Sequence, residues 1–547
     1  MKPMSLEEIR TAVGGVCDEG VSPSCVADVP SASVVSSSFP SSSVAVPEQQ
    51  SEQQRKQQDA GGTPARHADK MSATHAGETP ATQGMCLRDR VVTGISTDSR
   101  HVKPGDLFIA IKGEKFDAHA FLGQVFQAGA AGAIVNREFH ASADLGMVPL
   151  IAVDDTIVAL GKLGAYHRDR VGAKVIAVTG SNGKTTTKRM IQHILAKHLR
   201  GTCSPKSFNN NIGVPLTLLG AGEEDEYVIC EVGSNAPGEI AGLSAICRPD
   251  LAVITSVGET HLEKLGSIDL VAVEKASMLH HLRPSGCAIV WADSAPLAGA
   301  LNPYDCRMIR FGQTQVADLR LTDFQGYSDR VCFRVNGKVE VRLPQPGLHN
   351  ASNSLAALAV ATQMGVHMEQ AAADLSDFGG VEMRLESLQI GPVRVINDAY
   401  NANPSSMLAA ADVLAGQPGT RRVMIAGDML ELGPDTRRFH ERVGADIAAL
   451  SGSSNKDAPV RARSRADKMS ASQCGIDLLI GIGELGRYIA GGARSHGLAC
   501  QAFDTMEAAT AAIPSLLQPG DVILIKGSRG AALERLIPPL RKAMENK

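Results

Sequence analysis

The sequence has no surplus of positive charge, no paired cysteines and no long apolar stretch. Its formal net charge is −4 over 547 residues, which argues against a broad basic surface for nucleic acid or for an anionic membrane. The eleven cysteines form no Cys-x-x-Cys pair and no short-spaced framework, a pattern typical of free thiols in a reducing compartment. Neither a disulfide scaffold nor a zinc site is indicated, and any anionic ligand must be bound by a local group of residues.

No segment has the features of a secretory signal or of a membrane-spanning helix. Residues 1–10 become acidic at Glu7 and Glu8 before any apolar stretch begins, which is not typical of a secretory signal. The least charged apolar run, residues 118–135, contains His119 and several glycines and looks amphipathic. We therefore expect a cytoplasmic protein that neither enters the membrane nor binds nucleic acid.

The length of the chain predicts several domains. A chain of 547 residues is too long for one ordinary core, and about 150 residues per domain suggests three or four. Apolar residues make up 44% and charged residues 20%, which is enough apolar material for packed cores. We place the boundaries near residues 172 and 391, which gives domains over 1–172, 173–390 and 391–547.

Two polar stretches interrupt these domains. Residues 20–85 are rich in Ser, Pro, Gln and Ala, and residues 451–474 are also polar. The first stretch can bury too little apolar surface to offset its chain entropy, so we predict a disordered insertion there and a polar insertion at the second. The hexapeptide Ala-Asp-Lys-Met-Ser-Ala occurs in both, at 68–73 and 466–471, which suggests inserted sequence rather than architecture.

The remaining sequence alternates short apolar runs with helical patterns. Runs rich in Val and Ile, separated by helical segments, are typical of βαβ units and a mainly parallel sheet, so we predict an α/β fold. An Asn336-Gly337 pair between two such runs predicts a hairpin and thus an antiparallel patch. The predicted strands are 107–111, 174–179, 227–232, 250–257, 331–335, 338–343, 393–397, 421–427, 477–483 and 521–526.

A glycine-rich turn follows the predicted strand 174–179. The sequence Gly-Ser-Asn-Gly-Lys-Thr-Thr leads from this strand into a helical pattern that begins near Lys184. Backbone N–H groups and the helix N-terminus would face phosphate, Lys184 would neutralise it, and Thr185 could bind magnesium. The turn is shorter than the usual Gly-x-x-x-x-Gly-Lys-Thr, because Val178 stands where the first glycine would be. The residues assigned to nucleotide binding are Gly180, Ser181, Asn182, Gly183, Lys184, Thr185 and Thr186.

Two later strand ends carry groups that suit a metal site. Glu231 lies near the end of the next buried strand, where α/β sheets present ligand-binding groups, and a carboxylate there could hold magnesium. His261 follows the strand after that, between Glu259 and Glu263. By themselves these residues have ordinary alternatives, Glu231 as a carboxylate that faces solvent and His261 as a structural histidine.

Further motifs form an ordered series along the chain. They are Ile-Ser-Thr-Asp-Ser-Arg at 95–100, Pro-Gly-Asp-Leu-Phe at 104–108, Gly-Glu-Lys-Phe-Asp-Ala-His at 113–119, Asn-Asn-Asn-Ile-Gly-Val-Pro-Leu-Thr at 209–217, His-Asn-Ala-Ser-Asn at 349–353, Glu-Met-Arg-Leu-Glu at 382–386, Asn-Asp-Ala-Tyr-Asn-Ala-Asn-Pro at 397–404, Gly-Asp-Met-Leu-Glu-Leu-Gly at 427–433 and Lys-Gly-Ser-Arg at 526–529. Together with the shortened phosphate loop, this series resembles the Mur ligase family, and most closely its dipeptide-adding branch, over nearly the whole chain outside the two insertions. The branch that adds diaminopimelate commonly carries Asp-Asn-Pro-Arg, which does not occur here.

The resemblance implies a fold, a reaction and a set of ligands. The implied fold has three domains: an N-terminal UDP-sugar-binding domain, a central P-loop ATPase-like parallel sheet and a C-terminal Rossmann-like domain. The implied reaction is the ATP-dependent, ADP-forming ligation of D-alanyl-D-alanine to UDP-N-acetylmuramoyl-tripeptide through an acyl phosphate. The expected ligands are these two substrates, ATP and two magnesium ions, and we expect a monomer.

The same resemblance implies which residues carry the chemistry. The catalytic residues would be Lys184, His261, Lys275 and Arg384. Arg384 would meet the γ-phosphate, and Lys275 would be converted to a carbamate, since an unmodified lysine does not ligate a metal. Thr185 and Glu231 would hold one magnesium ion, and His261 with carbamylated Lys275 would hold a second.

Binding roles follow in the same way. Asn350, Arg384 and Asp398 would join the phosphate loop in binding ATP. The substrate-binding residues would be Ser96, Asp98, Ser99, Arg100, Asn209, Asn210, Tyr400, Asn401, Asn403, Lys526, Ser528 and Arg529.

Two other classes of function remain open at this point. One is a neighbouring ligase, either another Mur-type amino-acid-adding enzyme or a folylpolyglutamate synthase-like ligase, which uses the same acyl-phosphate chemistry. The other is a P-loop nucleotide-binding switch without ligation. Guanine switches usually carry Asn-Lys-x-Asp, whereas here Asn-Lys-Asp at 455–457 is followed by Ala458.

Overall fold

The computed structural model describes residues 1–17, 90–140, 148–452 and 475–544. The predicted insertion at 20–85 lies outside the described residues. The predicted insertion at 451–474 also lies outside them, except for its first two residues, which end a helix. The described part of the chain forms two compact units, Met1–Tyr166 and His167–Lys547. None of its helices has both the length and the apolar character that crossing a membrane requires.

Unit 1 contains a five-stranded sheet and a separate two-stranded ribbon. In the sheet, Val16–Cys17 pairs antiparallel with its neighbour and the other pairs are parallel. The strands in spatial order are Val16–Cys17, Leu150–Val153, Gly132–Asn136, Asp106–Ile109 and Gly94–Ser96. The ribbon pairs Met4–Ser5 with Val91–Val92. The helices are Leu6–Val13, Leu122–Gln127 and Arg137–His140, with 3-10 turns at Ser99–His101 and Ala118–Phe121. A further helix, Thr156–Arg170, begins in unit 1 and ends within the first residues of unit 2.

Unit 2 contains a nine-stranded sheet built around the strand that precedes the phosphate loop. Lys174–Thr179 lies between Leu251–Ile254 and Tyr227–Glu231, parallel to both. These strands are almost entirely buried, which explains their continuous apolar runs. The strands in spatial order are Val339–Leu343, Val331–Val335, Leu319–Gly326, Arg307–Gly312, Cys287–Trp291, Leu251–Ile254, Lys174–Thr179, Tyr227–Glu231 and Gly201–Cys203.

Helices cover this sheet, and one of them forms much of the core. Leu348–Gln363 is rich in Ala and Leu and is buried along most of its length. The predicted helix near Lys184 is observed as Lys184–Leu195, which we call the phosphate-loop helix. The other helices around the sheet are Gly213–Leu219, Glu239–Cys247, Leu262–Leu265, Ile268–Ala276, Ala295–Leu301 and Met368–Asp374, with 3-10 turns at Ser277–His281 and Leu375–Asp377.

A second sheet of unit 2 has six strands. Its first two strands pair antiparallel and the rest are parallel. In spatial order they are Glu386–Ile390, Val393–Asn397, Val522–Lys526, Arg422–Ala426, Leu478–Ile482 and Cys500–Phe503. The helices are Pro404–Ala415, Thr436–Gly452, Gly486–Arg494, Met506–Leu516 and Ile537–Met544, with 3-10 turns at Gly433–Asp435, Arg529–Ala531 and Leu533–Leu536.

The predicted α/β class and the predicted strands are confirmed, with strand ends shifted by up to three residues. The hairpin is also confirmed, because Asn336 and Gly337 have φ of +54° and +71° between Val331–Val335 and Val339–Leu343. The predicted strand 250–257 ends early at Ile254, because Thr255 and the residues after it bind the phosphate loop. The domain boundaries at 172 and 391 stay predictions.

Candidate active site

The phosphate loop requires glycine at two positions. Gly180 has φ of +143° and Gly183 has φ of +81°, in the region that L side chains rarely adopt. A Cβ on Gly180 would lie 2.1 Å from Oγ1 of Thr255, and one on Gly183 would lie 2.2 Å from Oδ1 of Asn353. The backbone thus passes close to its neighbours and enters the phosphate-loop helix at Lys184, a geometry that suits a bound phosphate.

The loop is fixed by hydrogen bonds to the segment after the strand Leu251–Ile254. The N–H groups of Ser181 and Asn182 donate to the carbonyl and the hydroxyl of Ser256, at 2.9 and 2.8 Å. The N–H of Gly258 donates to Oγ of Ser181 at 3.0 Å, and Thr260 donates to the same oxygen at 3.1 Å. The loop therefore keeps its shape through contacts between neighbouring strand ends.

Lys184 lies where its ammonium can contact a phosphate bound in the loop. Its ammonium folds back over the loop and donates to the carbonyl of Gly180 at 2.7 Å. Burial lowers the pKa of Lys184, and the negative charge of Glu231 opposes this shift. Thr186 is buried on the first turn of the same helix.

Glu231 is buried with only 1% of its surface exposed. Oγ1 of Thr185 donates to its Oε2 at 3.0 Å, and Nδ2 of Asn209 donates to its Oε1 at 3.2 Å. Nζ of Lys188 lies 3.0 Å from Oε2. Burial opposes ionisation of this carboxyl, but the charges of Lys188, Lys184 and Arg384 outweigh it and hold the pKa of Glu231 below its usual value.

Thr185 and Glu231 present a hydroxyl and an ionised carboxylate within 3.0 Å of each other. Such hard oxygen donors suit magnesium, which is usually held by one or two carboxylates together with phosphate and water oxygens. The described residues contain no group of three or more His, Cys, Asp or Glu side chains arranged to hold a metal. A magnesium ion at this place would therefore depend on oxygens from the nucleotide and from water.

Arg384 joins the phosphate loop to the six-stranded sheet. Its guanidinium donates to Oγ1 of Thr185 at 3.0 Å and lies 4.2 Å from the ring centre of Tyr400. The residues on either side, Met383 and Leu385, have φ of +55° and +54°. A backbone held in this sparsely populated region at two residues is a feature of functional sites.

The end of the strand Val393–Asn397 brings more of the predicted residues close to Arg384. Asp398 accepts from the N–H of Leu385 at 3.1 Å, and its other oxygen pairs with Nζ of Lys526 at 2.6 Å. Lys526 also donates to the carbonyl of Asn401 at 3.0 Å. The motifs at 382–386, 397–404 and 526–529 therefore share one network.

Asn182 and Asn403 connect the phosphate loop directly with the dipeptide-branch motif. Nδ2 of Asn403 donates to Oδ1 of Asn182 at 2.7 Å, and the reverse contact is 3.3 Å. Asn403 also caps the helix Pro404–Ala415 through its bond with Ser406. The turn of the C-terminal motif is thus held by its own cap and by the loop.

The remaining predicted residues of this region form hydrogen bonds or ion pairs with other groups of the protein. Asn350 donates to the carbonyl of Pro346 at 2.8 Å. Oδ1 of Asn210 accepts from two backbone N–H groups at the start of the helix Gly213–Leu219. Ser528 accepts from the N–H of Leu430 at 3.0 Å, and Arg529 pairs with Glu534 at 2.8 Å.

Among the described residues, no hydrogen bond or ion pair joins Lys275 or His261 to the Thr185–Glu231 pair. Lys275 is 1% exposed and donates to Oγ of Ser234 at 2.8 Å. Burial, aided by the nearby charge of Lys184, lowers the pKa of Lys275 to about 7. His261, with φ of +53°, has its Nδ1 2.5 Å from Oε2 of Glu431. Hydrogen bonding with His261 lowers the pKa of Glu431.

Glu431 belongs to the motif at 427–433, which lies against the segment 258–263. The N–H of Glu263 donates to the carbonyl of Glu431 at 3.2 Å, and Arg442 pairs with Glu259 at 2.7 Å. A cleft of about 410 Å³ opens beside these contacts. The structure therefore places the motif at 427–433 next to the predicted histidine, but forms no hydrogen bond or ion pair between His261 and Lys275 among the described residues.

The predicted UDP-sugar residues lie in unit 1. Asp98 caps the 3-10 turn that begins at Ser99, and Ser96 donates to its carbonyl at 2.9 Å. Arg100 pairs with the Asp98 carboxylate at 2.7 Å and keeps an exposed guanidinium. Hydrogen bonding to Arg100 holds the pKa of Asp98 well below its usual range.

Comparison with known proteins decides the family. Three family models match, described as Mur ligase family, catalytic domain, over residues 91–168, Mur ligase middle domain over 178–361, and Mur ligase, glutamate ligase domain, over 383–529. The UDP-N-acetylmuramoyl-tripeptide--D-alanyl-D-alanine ligase of Bacillus subtilis (strain 168) is 36% identical over 455 residues, which is 82% of this chain and 93% of that protein. The chain belongs to the Mur ligase family. The ligase of the same name from Escherichia coli (strain K12) is 34% identical and covers 83% of this chain and 95% of its own.

Solved Mur ligase structures have the same architecture. A crystal structure of MurF from Acinetobacter baumannii matches with a TM-score of 0.72 at 34% identity, over 83% of this chain and 94% of that one. A MurF ligase from Thermotoga maritima in complex with ADP has a TM-score of 0.69 at 24% identity, which bears on the fold alone. The predicted three-domain Mur ligase architecture and the predicted class of enzyme, an ATP-dependent ADP-forming ligase, are thereby confirmed.

Some residues of this Mur ligase site escaped prediction. Lys188 pairs with Glu231, Asn353 lies against Gly183, and Glu431 contacts His261. Lys188 could have been found from its spacing, since residues four apart share a helix face and Lys184 is four residues earlier. Asn353 and Glu431 lie in the motifs at 349–353 and 427–433, but their contacts with Gly183 and His261 join distant parts of the chain, so the motifs alone gave them no role.

Proposed function

We propose that this Mur ligase adds D-alanyl-D-alanine to UDP-N-acetylmuramoyl-tripeptide and so completes the pentapeptide precursor of peptidoglycan. The observation that carries the proposal is the contact between two groups of motifs. The phosphate loop meets the dipeptide-branch motifs through Asn182 and Asn403 and through Thr185 and Arg384. The two curated ligases described above, which match over more than nine-tenths of their own length, add the substrate identity.

The reaction first has to bring two anions together. The terminal carboxylate of the tripeptide attacks the γ-phosphate of ATP, which gives an acyl phosphate and ADP. Two unit charges about 4 Å apart repel by about 4 kcal/mol at an effective dielectric near 20. Lys184 and Arg384 offset this repulsion, because both side chains reach the start of the phosphate-loop helix and can follow the charge of the transferring group.

In the second step the amine of the dipeptide attacks the acyl carbon, and phosphate leaves with the oxygen that came from the carboxylate. Tyr400, Asn401, Lys526, Ser528 and Arg529 are assigned to substrate on the side of the six-stranded sheet, and Asn209 and Asn210 on the side of the phosphate loop. Asp398 holds Lys526 at 2.6 Å and the backbone beside Arg384 at 3.1 Å. It therefore connects the proposed dipeptide side with the proposed ATP side.

Magnesium fits the donors of this site. Thr185 and Glu231 would hold one ion, and it would supply charge neutralisation at the phosphates. For a second ion we propose His261 and a carbamate on Lys275. Formation of a carbamate from carbon dioxide requires the uncharged amine. A buried amine with a pKa of about 7 is about half uncharged at pH 7, and its hydrogen-bond partner Ser234 is neutral.

Ser96, Asp98, Ser99 and Arg100 are proposed to bind the UDP-sugar. The support is the family pattern together with the exposed guanidinium of Arg100, which can contact a diphosphate. A monomeric state and a cytoplasmic location stay predictions.

A substrate panel tests the proposed function. Purified full-length protein would be incubated with ATP, magnesium chloride and D-alanyl-D-alanine, together with the UDP-linked tripeptide in its lysine and its diaminopimelate form, and phosphate release would be followed. We expect release only when nucleotide, tripeptide and dipeptide are all present. Equal release with single amino acids in place of the dipeptide, or with glutamate and a folate acceptor, would instead support a neighbouring ligase, and release from ATP alone would support a nucleotide switch.

A further inference from the structure

Lys188 is a buried lysine that the proposed reaction does not use. It lies on the phosphate-loop helix one turn after Lys184, and its side chain is 0% exposed. Lysine is almost never fully buried unless its charge is paired. Its partners therefore indicate what the charge does.

The ammonium of Lys188 is enclosed by four acceptors. Nζ lies 3.0 Å from Oε2 of Glu231. It also donates to the carbonyl and the hydroxyl of Ser204, both at 3.1 Å, and contacts the carbonyl of Lys206. An ammonium has three N–H donors, so the protein alone satisfies this one.

The same contacts fix the carboxylate of Glu231. Oε2 faces Lys188 and Thr185, and Oε1 faces Asn209. Removal of one partner from a buried ion pair leaves an uncompensated charge, which is more costly than replacing both partners by neutral groups. Lys188 thus balances a negative charge that the site needs for a metal.

Lys188 also holds the segment that carries Asn209 toward Glu231. Lys206 has φ of +45°, a region that non-glycine residues rarely adopt. Contacts with the backbone of Ser204 and Lys206 keep this turn beside the phosphate-loop helix. The chain then continues to Asn209, whose carbonyl accepts from the N–H of Gly233 at 2.8 Å.

We propose that Lys188 is a positioning residue that serves as the internal counter-ion of Glu231. It keeps the carboxylate oriented and in place beside the phosphate loop whether or not a magnesium ion is bound. The inference rests on the proposed function in taking Glu231 as a magnesium ligand. Because Lys188 and the metal both carry positive charge near one carboxylate, each weakens the attraction of the other.

The test uses three variants of the full-length protein: Lys188→Met, Glu231→Gln and the double variant. Arg189→Met is the matched control, because it removes one positive charge from the next position of the same helix. Melting temperature would be measured with EDTA and with magnesium chloride, and binding of magnesium chloride to nucleotide-free protein would be titrated by calorimetry. Neither measurement requires turnover, so a failure of the proposed ligation would be seen separately in the substrate panel.

We expect Lys188→Met to melt well below wild type in EDTA and to recover part of the loss in magnesium. Its affinity for magnesium should rise by roughly tenfold, since a nearby positive charge is gone, whereas Arg189→Met should stay close to wild type in both measurements. Adding Glu231→Gln should restore solubility or melting temperature in EDTA and abolish the magnesium effect. If the double variant is no more stable or soluble than Lys188→Met, or if magnesium affinity is unchanged, the counter-ion role is wrong and Lys188 only anchors the turn at 204–206.

Discussion

At the scale of the residue, the properties of the site depend on how a few charged side chains are arranged around the hydroxyl of Thr185 and the carboxylate of Glu231. Thr185 connects Glu231 at 3.0 Å with Arg384 at 3.0 Å. Lys184 folds over the loop from the same helical turn. Positive groups therefore surround the place where phosphate charge would develop, and their contribution to core packing is small.

This arrangement makes Lys184 the residue whose loss should be most specific to catalysis. We expect Lys184→Ala to lower kcat by about a hundredfold or more, because it removes charge stabilisation at the phosphates. The melting temperature should change little, and Lys264→Ala, which removes an exposed lysine of unit 2, is the control. Steady-state kinetics and thermal unfolding check this, and a Lys184→Ala enzyme with the kcat of wild type would remove our central assignment.

Lys275 gives a second residue-scale prediction. Arginine keeps the positive charge but cannot become a carbamate, so Lys275→Arg should lose most ligation activity while the protein stays folded. A small carboxylate added to Lys275→Ala should restore part of the activity if it occupies the place of the carbamate oxygens. Wild-type turnover by Lys275→Arg at saturating magnesium would show that the carbamate proposal is wrong.

At the scale of the element, strand ends and helix starts bring distant parts of the sequence together. Lys174–Thr179, Tyr227–Glu231 and Leu251–Ile254 are neighbouring parallel strands. The phosphate loop follows the first, Glu231 is the last residue of the second, and His261 follows the third. Parallel strands present their carboxyl ends at one edge, which is where α/β folds bind ligands. The proximity of Thr185 and Glu231 follows from this rule.

Gly183 is the position of the phosphate loop where we expect a substitution to disturb this geometry most. Gly183→Ala would add a Cβ 2.2 Å from Oδ1 of Asn353 at φ of +81°. We expect a loss of about 1 kcal/mol or more in stability and a raised KM for ATP. Gly238→Ala is the matched control, because Gly238 has φ of +84° but no atom within 4 Å of its added Cβ. Equal effects of the two substitutions on KM for ATP would contradict a close fit at the loop.

The sequence allowed eight of the parallel strands and the phosphate loop to be predicted, because buried runs such as Lys174–Thr179 have a clear local pattern. Other buried strands, such as Leu150–Val153 and Cys287–Trp291, were not predicted. The edge strand Glu386–Ile390 was missed, since it is half exposed and pairs antiparallel with its neighbour. Lys188 and Asn353 were missed for a different reason. Their roles depend on partners 43 and 170 positions away in the chain, which only the folded arrangement reveals.

At the scale of the whole molecule, unit 2 contains both the proposed ATP side and the proposed dipeptide side of the site within one compact body. Asn182 bonds Asn403 across 221 positions of sequence. Because the nine-stranded and the six-stranded sheets meet through such contacts, ATP cleavage and amide formation can occur at one place. The two insertions contribute none of the residues assigned to this site.

Deletion of residues 20–84 should therefore leave folding and ligation largely intact. In unit 1 the flanks of this stretch are anchored independently, Val16–Cys17 against Ile151 and Ala152 and Val91–Val92 against Met4–Ser5. Bringing the ends of a shorter connection together also costs less conformational entropy. Soluble yield, melting temperature and kcat of the deletion variant check this, and loss of soluble protein would refute it.

An acyl-phosphate intermediate can be tested directly by following one oxygen of the tripeptide through the reaction. Tripeptide substrate labelled with ¹⁸O in both oxygens of its terminal carboxylate would be turned over with ATP, magnesium chloride and D-alanyl-D-alanine, and pentapeptide and phosphate would be analysed by mass spectrometry. We expect one labelled oxygen in each released phosphate and one retained in the new amide, with phosphate and pentapeptide formed in equal amounts. Phosphate without label, or phosphate formed without pentapeptide, would contradict an acyl phosphate made and consumed at this site.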